Sequence, residues 1–185
     1  MLPRDRTELL TAIETGRAFS YLPFYGQTAE PGVPAGPWVL SQWWPAAFTV
    51  DGRTYPTAEH WMMERKADLF GDAETGARVL AAGSPAEAKQ LGREVRGFDS
   101  GVWREHRSGI VVRGNEAKFG QDEVLAGYLR STGDAVIVEA SPVDRVWGVG
   151  RAVDDPAAVD PRRWDGENLL GFALMTVRDG LTARA

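Results

Sequence analysis

Apolar residues recur at helical spacing along much of the chain, and this periodicity predicts five or six helices. We expect them at residues 7–15, 58–70, 85–96, 100–117, 121–131 and 167–181. Residues typical of a helix N-cap precede four of these segments, namely Asp5, Thr57, Ser84 and Asp99. Their side chains can accept hydrogen bonds from N–H groups of the first helical turn, and Ser84 with Glu87 forms a capping-box pattern.

Strand patterns are fewer and shorter. We expect extended backbone at residues 38–40, 47–50 and 135–139, and residues 19–25 form a short aromatic stretch. Asp51-Gly52 is typical of a tight hairpin turn. Strands and helices do not alternate as they do in parallel α/β folds. The sequence therefore predicts an α+β, mostly α-helical single domain with a few short strands.

The amino-acid composition excludes several kinds of metal site and catalytic nucleophile. The 185 residues include no cysteine and two histidines, which excludes thiolate zinc sites, cysteine nucleophiles and histidine-rich metal centres. We expect His60 on the flank of its helix and His106 as a hydrogen-bonded core residue. No apolar run spans a bilayer and the charged N-terminus does not resemble a secretory signal, so we expect a cytoplasmic protein without membrane contact.

The formal net charge of −5 disfavours tight non-specific binding of nucleic acid, which needs many cations against phosphates. It favours small nucleotides over duplex DNA as ligands. A local basic pocket remains compatible with this charge.

The helix at 58–70 carries the clearest chemical signal. At about 100° per residue, Glu59 and Lys66 share the stripe that holds Met62, whereas Glu64 and Asp68 fall on the opposite side. Two ionisable groups on an apolar stripe often mark a functional site. The alternative is that each side chain extends to solvent at its end of the helix.

Two further clusters lie toward the C-terminus. In the first, Asp144 precedes Trp147, Gly148 and Gly150, an arrangement that offers a stacking face and close backbone approach to a ligand. A tight loop with a buried tryptophan explains the same pattern. In the second, Asn168 starts an apolar helix, where it can act as a cap or bind an anionic ligand group.

These clusters, in this order, resemble the NADAR (NAD- and ADP-ribose-associated) family, also called YbiA-like. The main matching segments are Phe24-Tyr25-Gly26, Leu40-Ser41-Gln42-Trp43-Trp44-Pro45, Tyr55-Pro56-Thr57-Ala58-Glu59-His60-Trp61-Met62, Lys66-Ala67, Ala117-Lys118-Phe119, Glu139-Ala140-Ser141-Pro142, Trp147-Gly148-Val149-Gly150 and Trp164-Asp165-Gly166-Glu167-Asn168-Leu169-Leu170-Gly171. The family usually has asparagine where this chain has Gln42. The match leaves residues 1–18 as an N-terminal helical extension and 19–183 as the family domain.

The resemblance implies a YbiA-like fold and N-glycosidase chemistry without metal or cofactor. Its substrates would be early riboflavin-pathway ribosylamino-pyrimidine intermediates, or ADP-ribose attached to guanine in nucleotides or DNA. Glu59 would supply a carboxylate near the ribose, Lys66 an amine that forms a Schiff base with the opened sugar, and Asp144 assistance in proton transfer. The expected ligand-binding residues are Tyr25, Gly26, Gln42, Trp147, Gly148, Gly150 and Asn168.

Two other classes of function remain open from the sequence. A non-catalytic sensor that binds ADP-ribose or NAD would share the same pocket residues. A structural interaction domain would instead use the tryptophan-rich segment 38–44 as a protein-binding surface. The oligomeric state and the choice of substrate are not indicated by the sequence.

Overall fold

The computed structural model describes residues 2–183, so Met1 of the predicted extension lies outside it. In chain order the regular elements are α1 (Arg6–Glu14), β1 (Tyr21–Phe24), a 3-10 helix (Pro37–Leu40), β2 (Phe48–Val50), β3 (Arg53–Tyr55), α2 (Ala58–Leu69), α3 (Ala73–Ala81), α4 (Pro85–Arg93), α5 (Ser100–Gly120), α6 (Glu123–Ser131), β4 (Val136–Glu139), two short 3-10 helices (Pro156–Val159 and Pro161–Arg163) and α7 (Leu169–Thr182). The predicted α+β, mostly helical class is confirmed. Within residues 2–183, no helix has the length and apolar character needed to cross a bilayer.

The chain divides into two compact units. The first comprises the described parts of Met1–Ser41 and Asp122–Ala185, and the second comprises Gln42–Gln121.

In the first unit, β1 and β4 form a parallel pair in which Tyr21 lies opposite Val136 and Phe24 opposite Glu139. Helix α7 packs against β4. Helix α1 belongs to the same unit: Leu9 is fully buried, and the Arg6 guanidinium donates to the Pro161 carbonyl oxygen at 2.9 Å. Asp5 caps α1 as predicted, accepting from the Glu8 N–H at 2.8 Å.

In the second unit, the predicted hairpin forms between β2 and β3, with Phe48 opposite Tyr55. Asp51 and Gly52 both adopt positive φ, the conformation that the tight turn requires. The rings of Phe48, Tyr55 and Trp61 pack together, with Tyr55 and Trp61 edge to face at 5.1 Å between centroids. This aromatic cluster fixes the first turns of α2 against the hairpin.

Helix α2 is the centre of the second unit and packs against α3, α4 and α5. It is therefore buried on more than one face, and Glu64 is buried although it lies opposite the apolar stripe. The Glu64 carboxylate is buried and accepts hydrogen bonds from the guanidinium groups of Arg53 and Arg65. Asp68 is exposed, as predicted.

Two other predictions are wrong, and one helix was not predicted. Residues 38–40 lie in a 3-10 turn rather than a strand, because Pro37 starts the turn and the Trp38 ring covers Gly36. Helix α3 was not predicted, although Asp72 caps it by accepting from the Thr75 N–H at 3.2 Å. His106 is exposed rather than in the core, because α5 turns other residues inward.

Candidate functional site

Glu59 lies in the first turn of α2 and is 2% exposed. Thr57 caps this helix end, accepting from the His60 N–H at 3.4 Å. The Glu59 N–H donates instead to the Gln42 carbonyl oxygen at 3.0 Å. A carboxylate at this position is favoured by the positive end of the helix dipole, so α2 both positions and stabilises the acid.

The side chain of Gln42 extends this arrangement to α5. Its Oε1 accepts a hydrogen bond from Asn115 Nδ2 at 2.9 Å, and the same Nδ2 donates to the Val111 carbonyl oxygen at 2.9 Å. Gln42 is 6% exposed and Asn115 is fully buried. Of the predicted site residues, the structure therefore brings Gln42 and Glu59 together within the second unit.

Lys118 is a buried lysine to which the sequence analysis gave no role. It lies on α5, one turn beyond Asn115, and is 1% exposed. Burial lowers the pKa of its amine to about 7, since the charged form is costly away from water. Val111, Asn115 and Lys118 follow the i, i+4, i+7 spacing of an inward helix face. Because Asn115 and Lys118 are polar, the apolar pattern of the sequence does not indicate that this face of α5 is buried.

Lys66 has a different environment. Its Nζ donates to the Gly92 carbonyl oxygen at 2.7 Å and lies 4.2 Å from the centroid of the Phe98 ring. Burial lowers the pKa of this amine as well. Lys66 comes seven residues after Glu59 on α2, about 10 Å farther along the helix axis. Its hydrogen bond thus joins α2 to the C-terminal end of α4.

His60 is held by hydrogen bonds within the protein. It is buried, its Nδ1 lies 2.8 Å from Thr57 Oγ1 and its Nε2 lies 3.2 Å from the Ala82 carbonyl oxygen. Burial lowers the pKa of the imidazole. These contacts use both ring nitrogens.

In the first unit, the loop after β4 is organised by Asp144. Its Oδ1 accepts from the N–H groups of Val146 and Trp147 at 2.9 and 2.8 Å. Trp147 itself is half-buried. A side chain at Gly148 would meet the Glu139 carbonyl oxygen at 2.8 Å, so this glycine lets the loop fold back onto the strand.

Tyr25 and Gly26 leave the sheet at the same edge as this loop. The Ala140 N–H donates to the Phe24 carbonyl oxygen at 2.8 Å, which holds the two strand ends together. Tyr25 is 57% exposed, and Gly26 has a φ of 74° with open space around its Cα. The carboxyl ends of parallel strands are a common place for ligand-binding loops.

Asn168 does not cap α7 through its side chain. Its Oδ1 accepts from the Glu139 N–H at 2.9 Å, and its Nδ2 donates to the Ile137 carbonyl oxygen at 2.8 Å. The residue is fully buried and adopts a φ of 57°. Its amide thereby fixes the end of β4, and through it the position of Glu139.

Comparison with known proteins agrees with the sequence resemblance. The NADAR domain matches residues 24–182. The chain belongs to the NADAR domain family. Among its relatives, "N-glycosidase R617" of Acanthamoeba polyphaga mimivirus is 39% identical over 150 residues, which cover 78% of this chain and 88% of that protein.

Two bacterial relatives add to this. "N-glycosidase YbiA" of Escherichia coli is 30% identical, with 75% of this chain and 76% of that protein covered. The NMR structure of E. coli YbiA has a TM-score of 0.72 and 25% identity, covering 89% of this chain and 86% of that chain. "Riboflavin biosynthesis protein VVA0006" of Vibrio vulnificus is 32% identical over 79% of this chain, which spans 36% of that protein.

Proposed function

We propose that this NADAR protein is an N-glycosidase that cleaves a ribose–nitrogen bond in a ribosylated, nucleotide-like substrate. It is a hydrolase that acts on N-glycosyl compounds. Family membership and the names of R617 and YbiA support the reaction class. The two substrate classes are riboflavin-pathway ribosylamino-pyrimidine intermediates, in line with the name of VVA0006, and ADP-ribose attached to guanine.

The observation that carries the proposal is the buried carboxylate of Glu59 at the N-terminus of α2. Breaking a ribose–nitrogen bond builds positive charge at the anomeric carbon, and a carboxylate close to that carbon stabilises it. Glu59 is held for this role by the hydrogen bond from its own N–H to Gln42.

The proposal includes an amine that attacks the anomeric carbon. As the new carbon–Nζ bond forms, the bond to the base breaks, and the departing nitrogen keeps the electron pair and takes a proton. The ribose ring then opens as the C1′–O4′ bond breaks, with the remaining Nζ proton passing to O4′, and this gives a Schiff base. Water hydrolyses the Schiff base, which returns the amine and releases the sugar. No oxidant or cofactor is needed for this balance.

We assign the amine to Lys118, which is buried on the face of α5 that also carries Asn115. An attacking amine must be neutral, and a pKa of about 7 leaves a large neutral fraction at physiological pH. The sequence prediction gave this role to Lys66, which stays the alternative amine. Lys66 Nζ donates to the Gly92 carbonyl oxygen and lies over Phe98, and Lys118 Nζ lies over Phe119 in a similar way.

The residues of the first unit keep the roles that the family resemblance implies. Asp144 assists in proton transfer or binds a ribose hydroxyl, and the described residues give its Oδ2 no partner. Within the first unit, Trp147 and Tyr25 offer stacking faces to a ligand, and Gly26, Gly148 and Gly150 allow close backbone approach. Asn168 acts indirectly, because both polar atoms of its side chain bind β4.

The test is parallel incubation of the purified protein with a ribosylamino-pyrimidine phosphate and with ADP-ribosylated guanosine, with products read by mass spectrometry. We expect release of a free base or amine from one of the two, with ribose phosphate or ADP-ribose as the second product. No product from either substrate contradicts the proposal. Tight calorimetric binding of ADP-ribose without turnover identifies the sensor function instead.

A further inference from the structure

Gln42 and Asn115 form a buried pair of amides that makes only half of its hydrogen bonds. The bond from Asn115 Nδ2 to Gln42 Oε1 is present at 2.9 Å. The reciprocal bond, from Gln42 Nε2 to Asn115 Oδ1, is absent. Within residues 2–183 neither of these two atoms has a hydrogen-bond partner, although both are buried.

The orientation of the two amides is fixed by their neighbours. Asn115 Nδ2 lies between two oxygens, Gln42 Oε1 and the Val111 carbonyl oxygen. Exchanging nitrogen and oxygen in Asn115 would place an acceptor against both of those acceptors. Exchanging them in Gln42 would place two donors face to face. The donor on Gln42 and the acceptor on Asn115 are therefore the atoms that are left over.

Buried polar atoms in native proteins are nearly always hydrogen-bonded, so this pair calls for an explanation. Two atoms of opposite polarity, one donor and one acceptor, match a ligand edge that carries one acceptor and one donor. Such an edge is found in heterocycles with a lactam group, where a ring carbonyl lies next to a ring N–H. The amides of asparagine and glutamine pair with base edges in this bidentate manner.

Gln42 also connects the pair to the proposed chemistry. Its carbonyl oxygen accepts from the Glu59 N–H at 3.0 Å, so the same residue carries the free donor and holds the backbone of the acid. A group bound by the pair thus lies near the start of α2.

We propose that Gln42 Nε2 and Asn115 Oδ1 bind the departing base of the substrate through a lactam edge. This inference rests on the proposed N-glycosidase function and extends it to the recognition of the base. Gln42 is the donor and Asn115 the acceptor. Both proposed substrate classes carry such a ring, and bases without the edge leave the two atoms unpaired and are discriminated against.

The test uses Gln42→Glu, which removes the Nε2 donor and keeps an oxygen to accept from Asn115. Gln42→Asn keeps the amide at a shorter reach, and Gln90→Glu makes the same charge change at an exposed position of the same unit. Each variant is assayed with the substrate that the wild type cleaves. We expect KM to rise about tenfold or more in Gln42→Glu, to recover in part in Gln42→Asn and to stay unchanged in Gln90→Glu.

A second readout separates recognition from folding. Turnover is inhibited with guanosine, which has the lactam edge, and with 2-aminopurine riboside, which lacks it. We expect guanosine to inhibit the wild type about tenfold more strongly, and this preference to shrink severalfold in Gln42→Glu, where only the Asn115 acceptor remains. A merely structural role would weaken both equally.

Unchanged KM in Gln42→Glu, or equal inhibition of the wild type by both ribosides, overturns the inference and leaves the two atoms to bind a water molecule only. Absence of turnover by the wild type contradicts the proposed function instead. In that case calorimetry with the same two ribosides tests the pair directly, and binding that does not favour guanosine overturns it.

Discussion

Lys66 Nζ donates a hydrogen bond to the Gly92 carbonyl oxygen at 2.7 Å, and the same ammonium group lies over the ring of Phe98. Gly92 is in the last turn of α4, where carbonyl groups lack helical partners. The contact therefore closes the end of one helix with a side chain of another. It gives Lys66 a role in stability.

Replacing Lys66 by Met keeps the length of the side chain and removes the ammonium group. We expect the free energy of unfolding to fall by about 1–2 kcal/mol, because a charge-assisted hydrogen bond and a cation–π contact are lost. Turnover should stay within about threefold of the wild type, in contrast to a catalytic residue. Urea denaturation and steady-state kinetics measure the two effects, with Lys89→Met as the control. A loss of turnover of 100-fold or more in a folded Lys66→Met protein would restore Lys66 as the amine.

If Lys118 is the attacking amine, kcat/KM falls at low pH. Below a pH of about 7 the amine becomes protonated and cannot attack carbon. We expect kcat/KM to fall tenfold per pH unit on that side and to level off above it. Borohydride reduction during turnover should attach the sugar to Lys118, as mapped by mass spectrometry. Attachment to Lys66 or Lys89 would show that another of the three lysines acts.

The same lysine predicts a pH dependence of stability. Its pKa in the folded protein is about 7, below the value of about 10.4 for an unfolded chain. Between these values the unfolded chain binds a proton that the folded protein does not, so the free energy of unfolding rises with pH by at most about 1.4 kcal/mol per unit. This contribution is lost as the pH falls toward 7, and Lys118→Met should lack it. Parallel stability curves for wild type and variant would contradict the account.

We expect substitution of Glu64 to lower the free energy of unfolding without a direct effect on catalysis. Its buried carboxylate accepts from Arg53 and Arg65, and from the Tyr55 hydroxyl at 3.3 Å. Glu64→Gln removes the charge that pairs with both guanidinium groups, and we expect a loss of about 1–2 kcal/mol in the free energy of unfolding, because solvent reaches both arginines. Glu116→Gln, at an exposed position of the same unit, serves as the control. Equal urea midpoints for the two variants would show that the buried ion pairs contribute little.

Asn168 is expected to act on stability through β4. Asn168→Gly permits the positive φ but removes the hydrogen bonds to Ile137 and Glu139. We expect a loss of about 1–3 kcal/mol, since two buried backbone groups lose their partners. Faster hydrogen exchange of the Glu139 amide, which loses its acceptor, would be the local signature. Normal protection at Glu139 would indicate that the strand end is held without the side chain.

The caps and turns were predictable from sequence because their signals are local. Asp5, Thr57 and Ser84 cap helices as their positions indicate, and Asp51-Gly52 forms the hairpin turn. The orientation of the helices was harder. Because α2 packs on three helices, its apolar stripe does not identify one buried face, and Glu64 is buried although it lies opposite that stripe.

Lys118 and Asn115 show why part of the candidate site was missed. Polar residues on the inward face of α5 shift the apolar pattern toward Trp103 and Ile110, which are only half-buried. Burial of a lysine depends on which elements pack around it, and a single sequence does not contain that information. The burial of Glu59 was predictable because its helix begins at a clear cap and Glu59 shares a stripe with apolar residues.

The central claim is that the acid at the start of α2 drives cleavage of the ribose–nitrogen bond. The most direct measurement is the turnover of Glu59→Gln beside that of Glu105→Gln, an exposed carboxylate of the same unit, on whichever substrate the wild type cleaves. We predict a fall of about 100-fold or more in kcat for Glu59→Gln with an unchanged melting temperature, and wild-type rates for Glu105→Gln. Equal turnover of the two folded variants would contradict the account.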